Sequence, residues 1–399
     1  MKKFLRLFLL LGLVAAPFVA SAQSGRVGEV RVDVDKNTIP IRVSAATSDL
    51  QAIAQQAFGA HGRYKLVASG FTYDIRFTAV TPTQVRVDIS RGTGGVAASQ
   101  VFNGATARAA LYAAADYAVV QTNGLGLRGF FAARLAFVSE RTGKKEVYTS
   151  DLFVGEARQI TKDNVPVLKP RWSPDGAKII FTSWFKSGSA DIFEYNVNTY
   201  QRTTFASFKG TNMGARYSPT GRQVAMVLTG EGTPEIYVSD AQGRGVRRLT
   251  RSDSAKSSPA WSPDGTQLIF ETEPGPQLHI ISASGSGGTR RVQAGSTYAA
   301  EADWNMVDPN KIACTVRIAG GRYQISVADI ARGTSKVVSS AGFDAIEPCW
   351  LADGRHLIYT ARDRSTSVLC ILDTETGKST PISGSFGNAT FQANVWTAR

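Results

Sequence analysis

The side chains that most often perform chemistry are scarce in this sequence. It contains three histidines and three cysteines among 399 residues. His279 and His356 stand where other copies of a repeat described below have Tyr or Lys, which favours a scaffold role for both. His61 lies in a glycine-containing turn and has no obvious partner in the sequence. The histidines therefore predict neither a metal site nor a catalytic centre.

Nucleophile motifs are also missing. No Gly-x-Ser-x-Gly segment is present, so no nucleophile elbow of the hydrolase type is predicted. Cys-His pairs and metal-ligand spacings are absent as well. The odd set of Cys314, Cys349 and Cys370 is expected to be buried thiols in strands rather than a disulfide framework. We expect a protein that is not an enzyme and holds no cofactor or metal.

A repeat fills the second half of the chain. Its clearest copies read Pro-Arg-Trp-Ser-Pro-Asp-Gly at 170–176 and Pro-Ala-Trp-Ser-Pro-Asp-Gly at 259–265. Aromatic residues at the same place in each copy lie 43 to 46 residues apart, and this narrow spacing predicts a repeat architecture. We interpret these anchors as core wedges between repeats: Trp172, Tyr217, Trp261, Trp304, Trp350 and Trp396.

Each copy has the chemistry of a β-meander. Pro, Asp and Gly of the Ser-Pro-Asp-Gly segment favour a tight turn, and two apolar β runs and a short last strand follow it. Four strands in about 44 residues is typical of a propeller blade. The stretch from Arg134 to Thr161 lacks a first strand, whereas the segment from Phe391 to Trp396 is a first strand without a blade. Their pairing predicts a closed six-bladed all-β propeller over 134–399.

The first half has a different organisation. A basic start, an apolar run and Ala20-Ser21-Ala22 predict a signal peptide over 1–22, because the apolar run is too short for a membrane anchor. Alternating residues at 29–35, further strands up to 101, and helices at about 47–57 and 106–121 predict a small α/β domain over 23–127. The mature protein is expected to be exported, with no membrane insertion.

The composition limits the partners. Apolar residues make up 43% and the formal net charge is +13, which becomes +10 once three leader charges are removed. Nucleic acid is disfavoured by the exported location and by the lack of basic clusters interleaved with aromatics. The charge is therefore interpreted either as attraction to an anionic protein, lipid or wall polymer, or simply as a means of solubility.

The loops that precede the anchors are the predicted working surface. They mix Asn, Ser, Asp and Glu with Lys and Arg, which suits a wet protein interface. We expect partner contacts there from Lys169, Thr211, Asn212, Ser257, Ser258, Glu301, Asp344 and Glu347.

The order of these features resembles the TolB family of periplasmic propellers. Val30-Arg-Val-Asp-Val-Asp, then Ile39-Pro-Ile-Arg-Val and Ser48-Asp-Leu, is similar to the family's opening strands and first helix. Arg108–Asp116 and Arg134-Leu-Ala-Phe-Val-Ser resemble its second helix and entry into the first blade. The second helix has Ala-Leu-Tyr where the family usually has an Ala-His pair.

This resemblance implies a monomeric, non-enzymatic periplasmic scaffold of the Tol–Pal system. Its propeller face would bind the lipoprotein Pal. Its N-terminal segment would bind TolA through Gly28, Val30, Arg31 and Asp33. Other Tol and outer-membrane proteins are further partners, and the role would be outer-membrane integrity and cell division. Two alternatives stay open: a propeller that binds a wall glycan or another envelope protein, and a propeller lyase, which would need a metal or histidine cluster in its channel.

Overall fold

The structure is a computed structural model that describes residues 38–186, 188–387 and 390–398. The predicted signal peptide, the predicted strand at 29–35 and the candidate TolA contacts Gly28, Val30, Arg31 and Asp33 lie outside these residues. Within them, no helix combines the length and the apolar character needed to cross a membrane.

The N-terminal α/β region packs two helices on one five-stranded sheet. The sheet order is β2-β1-β3-β4-β5, with β1 parallel to β2 and β3 and the other pairs antiparallel. Thr47 and Thr106 cap the two helices by accepting backbone N–H bonds from Leu50 and Ala109. The elements are β1 Ile39–Ala45, α1 Ser48–Ala60, β2 Tyr64–Leu66, β3 Tyr73–Thr81, β4 Gln84–Arg91, β5 Val96–Asn103 and α2 Ala107–Thr122.

The propeller has six four-stranded antiparallel blades, as the repeat predicts. Blade 1 contains β6 Arg134–Ser139, β7 Glu146–Asp151 and β8 Arg158–Gln159, together with β29 Thr390–Trp396. Blade 2 contains β9 Val167–Trp172, β10 Lys178–Ser183, β11 Asp191–Asn196 and β12 Arg202–Ala206. Blade 3 contains β13 Asn212–Tyr217, β14 Gln223–Leu228, β15 Glu235–Asp240 and β16 Arg247–Arg248.

The other three blades follow the same pattern. Blade 4 contains β17 Lys256–Trp261, β18 Gln267–Thr272, β19 Gln277–Ser282 and β20 Thr289–Arg291. Blade 5 contains β21 Ala299–Trp304, β22 Lys311–Arg317, β23 Tyr323–Asp329 and β24 Thr334–Val337. Blade 6 contains β25 Asp344–Trp350, β26 His356–Arg362, β27 Ser367–Asp373 and β28 Ser379–Pro381.

The ring closes through the C-terminal strand, as predicted. β29 pairs with β6 in the register Phe391 to Val138 and Trp396 to Arg134. The three cysteines are free and buried in β22, β25 and β27, which confirms that expectation.

Every innermost strand carries a β-bulge at the same place. The register shifts there in all six pairs of first and second strands. A bulge adds one residue and turns a side chain and a peptide group away from the ladder. The first bulged residue has a positive φ in each blade, between 49° and 63°, and these six residues form what we call the waist ring: Lys169, Gly214, Ser258, Glu301, Glu347 and Gln392.

The bulge in β29 corrects one sequence-based assignment. Counted from the bulge, Val395 and not Trp396 stands at the position held by Trp172 in blade 2. Trp396 lies one residue further on. Its ring centroid is 6.2 Å from that of Trp172, and its indole N–H donates to the carbonyl of Pro174 at 3.0 Å. Trp396 therefore joins two blades at the ring closure, but not as the sixth equivalent anchor.

Candidate functional site

The two ends of the propeller channel differ. The Ser-Pro-Asp-Gly turns lie at one end, the turn face, and the loops that precede the innermost strands lie at the other, the loop face. The N-terminal region packs on the turn face, where Arg108 pairs with Asp151 at 3.2 Å and His61 contacts His356. The described part of the α/β region, from residue 38 on, therefore leaves the loop face uncovered.

Exposed aromatic and basic side chains stand on the loop face. Phe185 and Phe208 are 51% and 45% exposed, and Lys209 beside Phe208 is exposed as well. The guanidinium of Arg202 lies 3.9 Å from the centre of the Phe185 ring. Sequence reasoning missed both phenylalanines, although apolar residues in loop segments were a visible signal. Such residues are typical anchors of protein interfaces.

Two of the predicted contact residues have structural roles in the loops. Asn212 is fully buried, and its side-chain amide donates to the carbonyl of Phe208 at 2.9 Å. Asn212 therefore holds its loop from inside, and the prediction that it faces a partner is wrong. Thr211 next to it is half-buried. Asp344 lies at the rim of the loop face, where it accepts the backbone N–H of Tyr323 and pairs with Arg362.

Four other predicted residues, Lys169, Ser258, Glu301 and Glu347, belong to the waist ring inside the channel, so they are recessed below the loop face. Their bulged peptide groups are held by side chains of the same ring. The N–H of Glu347 donates to Glu301 Oε2 at 3.0 Å, and the N–H of Gln392 donates to Glu347 Oε2 at 3.1 Å. The N–H of Lys169 donates to Gln392 Oε1 at 2.9 Å, which continues this chain of bonds across the ring closure.

The waist ring holds acidic side chains close together. Burial, reinforced by Glu347 and Glu271, raises the pKa of Glu301 to about 7. The hydroxyl of Ser257, the remaining predicted contact, donates to Glu271 at 2.7 Å. These side chains hydrogen-bond to one another and to the bulged backbone. The waist ring therefore has a structural role in the channel wall.

The turn-face end of the channel widens into a funnel of about 870 Å³. All six predicted anchors line it with their edges, and the segment that joins the two parts of the chain contributes Arg128 and Gly129 to its wall. This volume lies in the range of small-molecule sites. No histidine lines the funnel or the waist, although all three are among the described residues.

A buried polar cluster joins the N-terminal region to blade 6. Arg355 donates twice to Asp373, at 3.0 and 2.7 Å, and His356 Nδ1 contacts Asp353 at 2.6 Å. The rings of His61 and His356 lie 4.4 Å apart. The expectation that His61 has no partner is therefore wrong. The sequence around His61 could not indicate this contact, because His356 lies in a strand about 300 residues later in the chain.

This cluster is held mainly by hydrogen bonds. One ligand atom from each of His61, Asp353 and His356 lies within 4.8 Å of the others, which is the spacing that a metal ion could use. However, Asp353 already bonds His356, and His61 Nδ1 accepts the backbone N–H of Arg63 at 3.3 Å. Burial, with a smaller contribution from His356, lowers the pKa of His61 well below its usual range, so this imidazole is neutral in the folded protein.

Comparisons with known proteins agree with this architecture. A model of the PD40 family, described as the TolB beta propeller domain, matches residues 124–398. The Tol-Pal system protein TolB of Bordetella pertussis is 30% identical over 163 residues, which is 40% of this chain. The match spans 37% of that relative's length. The same values hold for the protein of that name from Bordetella parapertussis.

Solved structures show the same fold. TolB from Acinetobacter baumannii is 21% identical, with a TM-score of 0.77 over 93% of this chain and 98% of that chain. A putative TolB from Agrobacterium tumefaciens is 16% identical, with a TM-score of 0.50 over 67% of this chain and 98% of that chain. At these identities the likeness describes the fold alone.

Proposed function

Since the chain belongs to the TolB beta-propeller family, we propose that it is a non-enzymatic periplasmic scaffold of the Tol–Pal system. It binds Pal through the loop face and TolA through its N-terminal segment, and so supports outer-membrane integrity and cell division. The observation that carries the proposal is the loop face itself. The described residues of the α/β region do not cover it, and it presents exposed phenylalanines beside lysines around a polar channel mouth.

The loop face has the composition of a transient protein interface. Phe208 supplies an apolar anchor, and Lys162, Lys209 and Arg251 supply exposed positive charges in separate loops. A partner with an acidic surface is the natural complement. The absence of histidine from the funnel and waist, both within the described part of the chain, gives the lyase alternative no support.

The test is calorimetric binding of the mature protein to the periplasmic domain of Pal from the same organism. Lys209→Glu on the loop face is expected to weaken binding at least tenfold, and Phe208→Ala to a similar degree. Arg222→Glu is the matched control, because Arg222 is exposed in the same blade but in its turn-face turn. Absence of Pal binding, or equal weakening by Lys209→Glu and Arg222→Glu, would refute the assignment of this face.

A second experiment tests the TolA partner. A variant without residues 23–35 is expected to lose binding to the periplasmic domain of TolA. If this segment docks and releases in response to the two partners, its removal will also change the affinity for Pal, because coupling is reciprocal. Unchanged TolA binding would refute the role of the segment, and the Pal result would stand separately.

A further inference from the structure

A second ring of side chains lies in the channel between the waist ring and the funnel. Its members are the residues directly before the anchor position of each blade, and we call it the inner ring: Arg171, Arg216, Ala260, Asp303, Cys349 and Asn394. Two of the six are arginines and one is a carboxylate. With both arginines ionised, the ring has one surplus positive charge.

The single carboxylate of the inner ring already bonds two donors. Asp303 Oδ1 accepts a bond from the Arg216 guanidinium across the neighbouring blade. Asp303 Oδ2 accepts the backbone N–H of Trp350 at 2.7 Å. Arg216 is thereby paired with Asp303, and neither Asp303 oxygen bonds the second arginine.

Arg171 has no counter-charge of its own. Its guanidinium donates to the carbonyl of Pro170 at 3.1 Å, and in the described part of the chain no carboxylate lies within 4.0 Å of it. Burial and the neighbouring Arg216 lower the pKa of Arg171, and the more distant Asp303 and Glu347 offset them only in part. Arg171 is half-buried by its accessible surface, and an arginine withdrawn from solvent without a carboxylate partner is able to bind an anion.

The residue beside Arg171 has an unused donor. The indole N–H groups of Trp261, Trp304, Trp350 and Trp396 all donate to backbone carbonyls. The Nε1 of Trp172 is buried and has no hydrogen-bond partner. Two consecutive residues, Arg171 and Trp172, thus lack the partners that the equivalent residues of other blades have. Both line the funnel.

The funnel above the inner ring has both apolar and polar side chains in its wall, and its charged members include Asp116, Arg128 and Asp353. The prolines of two Ser-Pro-Asp-Gly turns, Pro174 and Pro263, and Pro219 of the Ser-Pro-Thr-Gly turn lie around it, together with Met306 and the 62%-exposed Val307. A ligand that enters from solvent therefore meets proline and valine surface beside these charged groups, and the Arg171 guanidinium belongs to the inner ring below them.

We propose that the funnel binds a carboxylate carried on an apolar chain, with the carboxylate on Arg171 and the chain against the proline-lined wall. A guanidinium matches the two oxygens of a carboxylate in a bidentate geometry. The site lies at the opposite end of the channel from the loop face, so a ligand here and Pal at the other end do not compete for surface. The carboxylate has two sources, the C-terminus of a peptide or a fatty acid.

The test uses the mature protein and three probes. These are octanoate, an N-acetylated Gly-Ala-Leu-Val peptide with a free carboxyl terminus, and the same peptide with a C-terminal amide, each measured by calorimetry. Binding of octanoate or of the free-acid peptide, with the amide at least tenfold weaker, is the expected result. The stronger of the two acids identifies the source.

Substitutions locate the site. Arg171→Gln is expected to raise the dissociation constant of the binding acid at least tenfold. The matched control Arg290→Gln, in an exposed outer strand, is expected to leave it unchanged. The proposal is overturned if neither acid binds at millimolar concentration, or if amide and acid bind equally. It is also overturned if a folded Arg171→Gln variant binds like the wild type. The comparison of amide with acid uses the wild type and does not depend on the variant's folding.

Discussion

Replacing Asp373 by Asn tests the cluster that joins the N-terminal region to the propeller. The Asp373 side chain is fully buried and accepts two bonds from Arg355, at 3.0 and 2.7 Å. Burial alone would raise its pKa, but His356 and Arg355 outweigh burial and hold the pKa at about 2, against an ordinary value of 3.8. This difference corresponds to about 2 kcal/mol in favour of the ionised form.

The variant also leaves Arg355 buried without a carboxylate. Breaking one partner of a buried ion pair typically costs about 3–5 kcal/mol, and we expect about 3 kcal/mol here because Asn keeps one acceptor oxygen. Urea unfolding followed by tryptophan fluorescence measures this loss. The matched control is Asp253→Asn in an exposed loop, which should change the free energy of unfolding by no more than about 0.5 kcal/mol.

The pH dependence gives the same reasoning a second test. Because the folded pKa of Asp373 lies below the unfolded one, its contribution is complete above pH 3.8 and disappears as the pH falls towards about 2. The Asp373→Asn variant should lack this part of the acid dependence. A loss below about 1 kcal/mol at neutral pH would refute the claim that the Arg355–Asp373 ion pair stabilises the blade 6 side of this cluster.

Three further perturbations follow from the same structure. Trp396→Ala should lower the free energy of unfolding by about 2 kcal/mol in urea titrations, less than a fully buried Trp, because this ring is only partly buried at the ring closure. Lowering the pH below about 6.5 should destabilise the protein, because His61 binds a proton in the unfolded chain but stays neutral where it is buried in the folded protein. The free energy of unfolding of the wild type and of His61→Asn, measured against pH, gives the size of this effect. Gly62→Ala should lower the melting temperature by several degrees, because a methyl group there overlaps the Asp373 carboxylate.

Each of these has a control in the chain. Val337→Ala removes an exposed apolar group from an outer strand, and an equal loss there would deny Trp396 a special role. His279→Asn should keep most of the acid dependence near pH 6, and a wild-type curve that is flat between pH 7 and 5 would contradict the assignment to His61. Gly95 has open space around its Cβ position and an ordinary φ, so Gly95→Ala should melt like the wild type.

The blade count and the closing strand could be predicted because they depend on local patterns. A tight-turn sequence and an aromatic anchor recur in each copy, and the incomplete first and last copies complement one another. The bulges could not be predicted in this way. They place Lys, Ser, Glu and Gln at positive φ, and only Gly214 among the six is a residue that favours such a conformation.

In the candidate site, too, local sequence patterns predict some features and miss those that depend on the bulges. The loops before the innermost strands lie together at one end of the channel, but the bulges draw Lys169, Ser258, Glu301 and Glu347 into the channel, and the same shift displaces Trp396 by one residue. The contact of His61 with His356 depends on how two regions far apart in the sequence pack on each other. No pattern within either region encodes it.

The pairing of β29 with β6 has a kinetic consequence. The innermost partner of β6 is β29, which lies about 250 residues later in the chain. During synthesis every other blade can pair its own four strands in order, but the first blade stays incomplete until the last strand has been made. Pairing at such long sequence separation is slow. We therefore expect ring closure to be a late step of folding. A chain that lacks its last ten residues cannot complete this step and keeps an unpaired strand edge on β6.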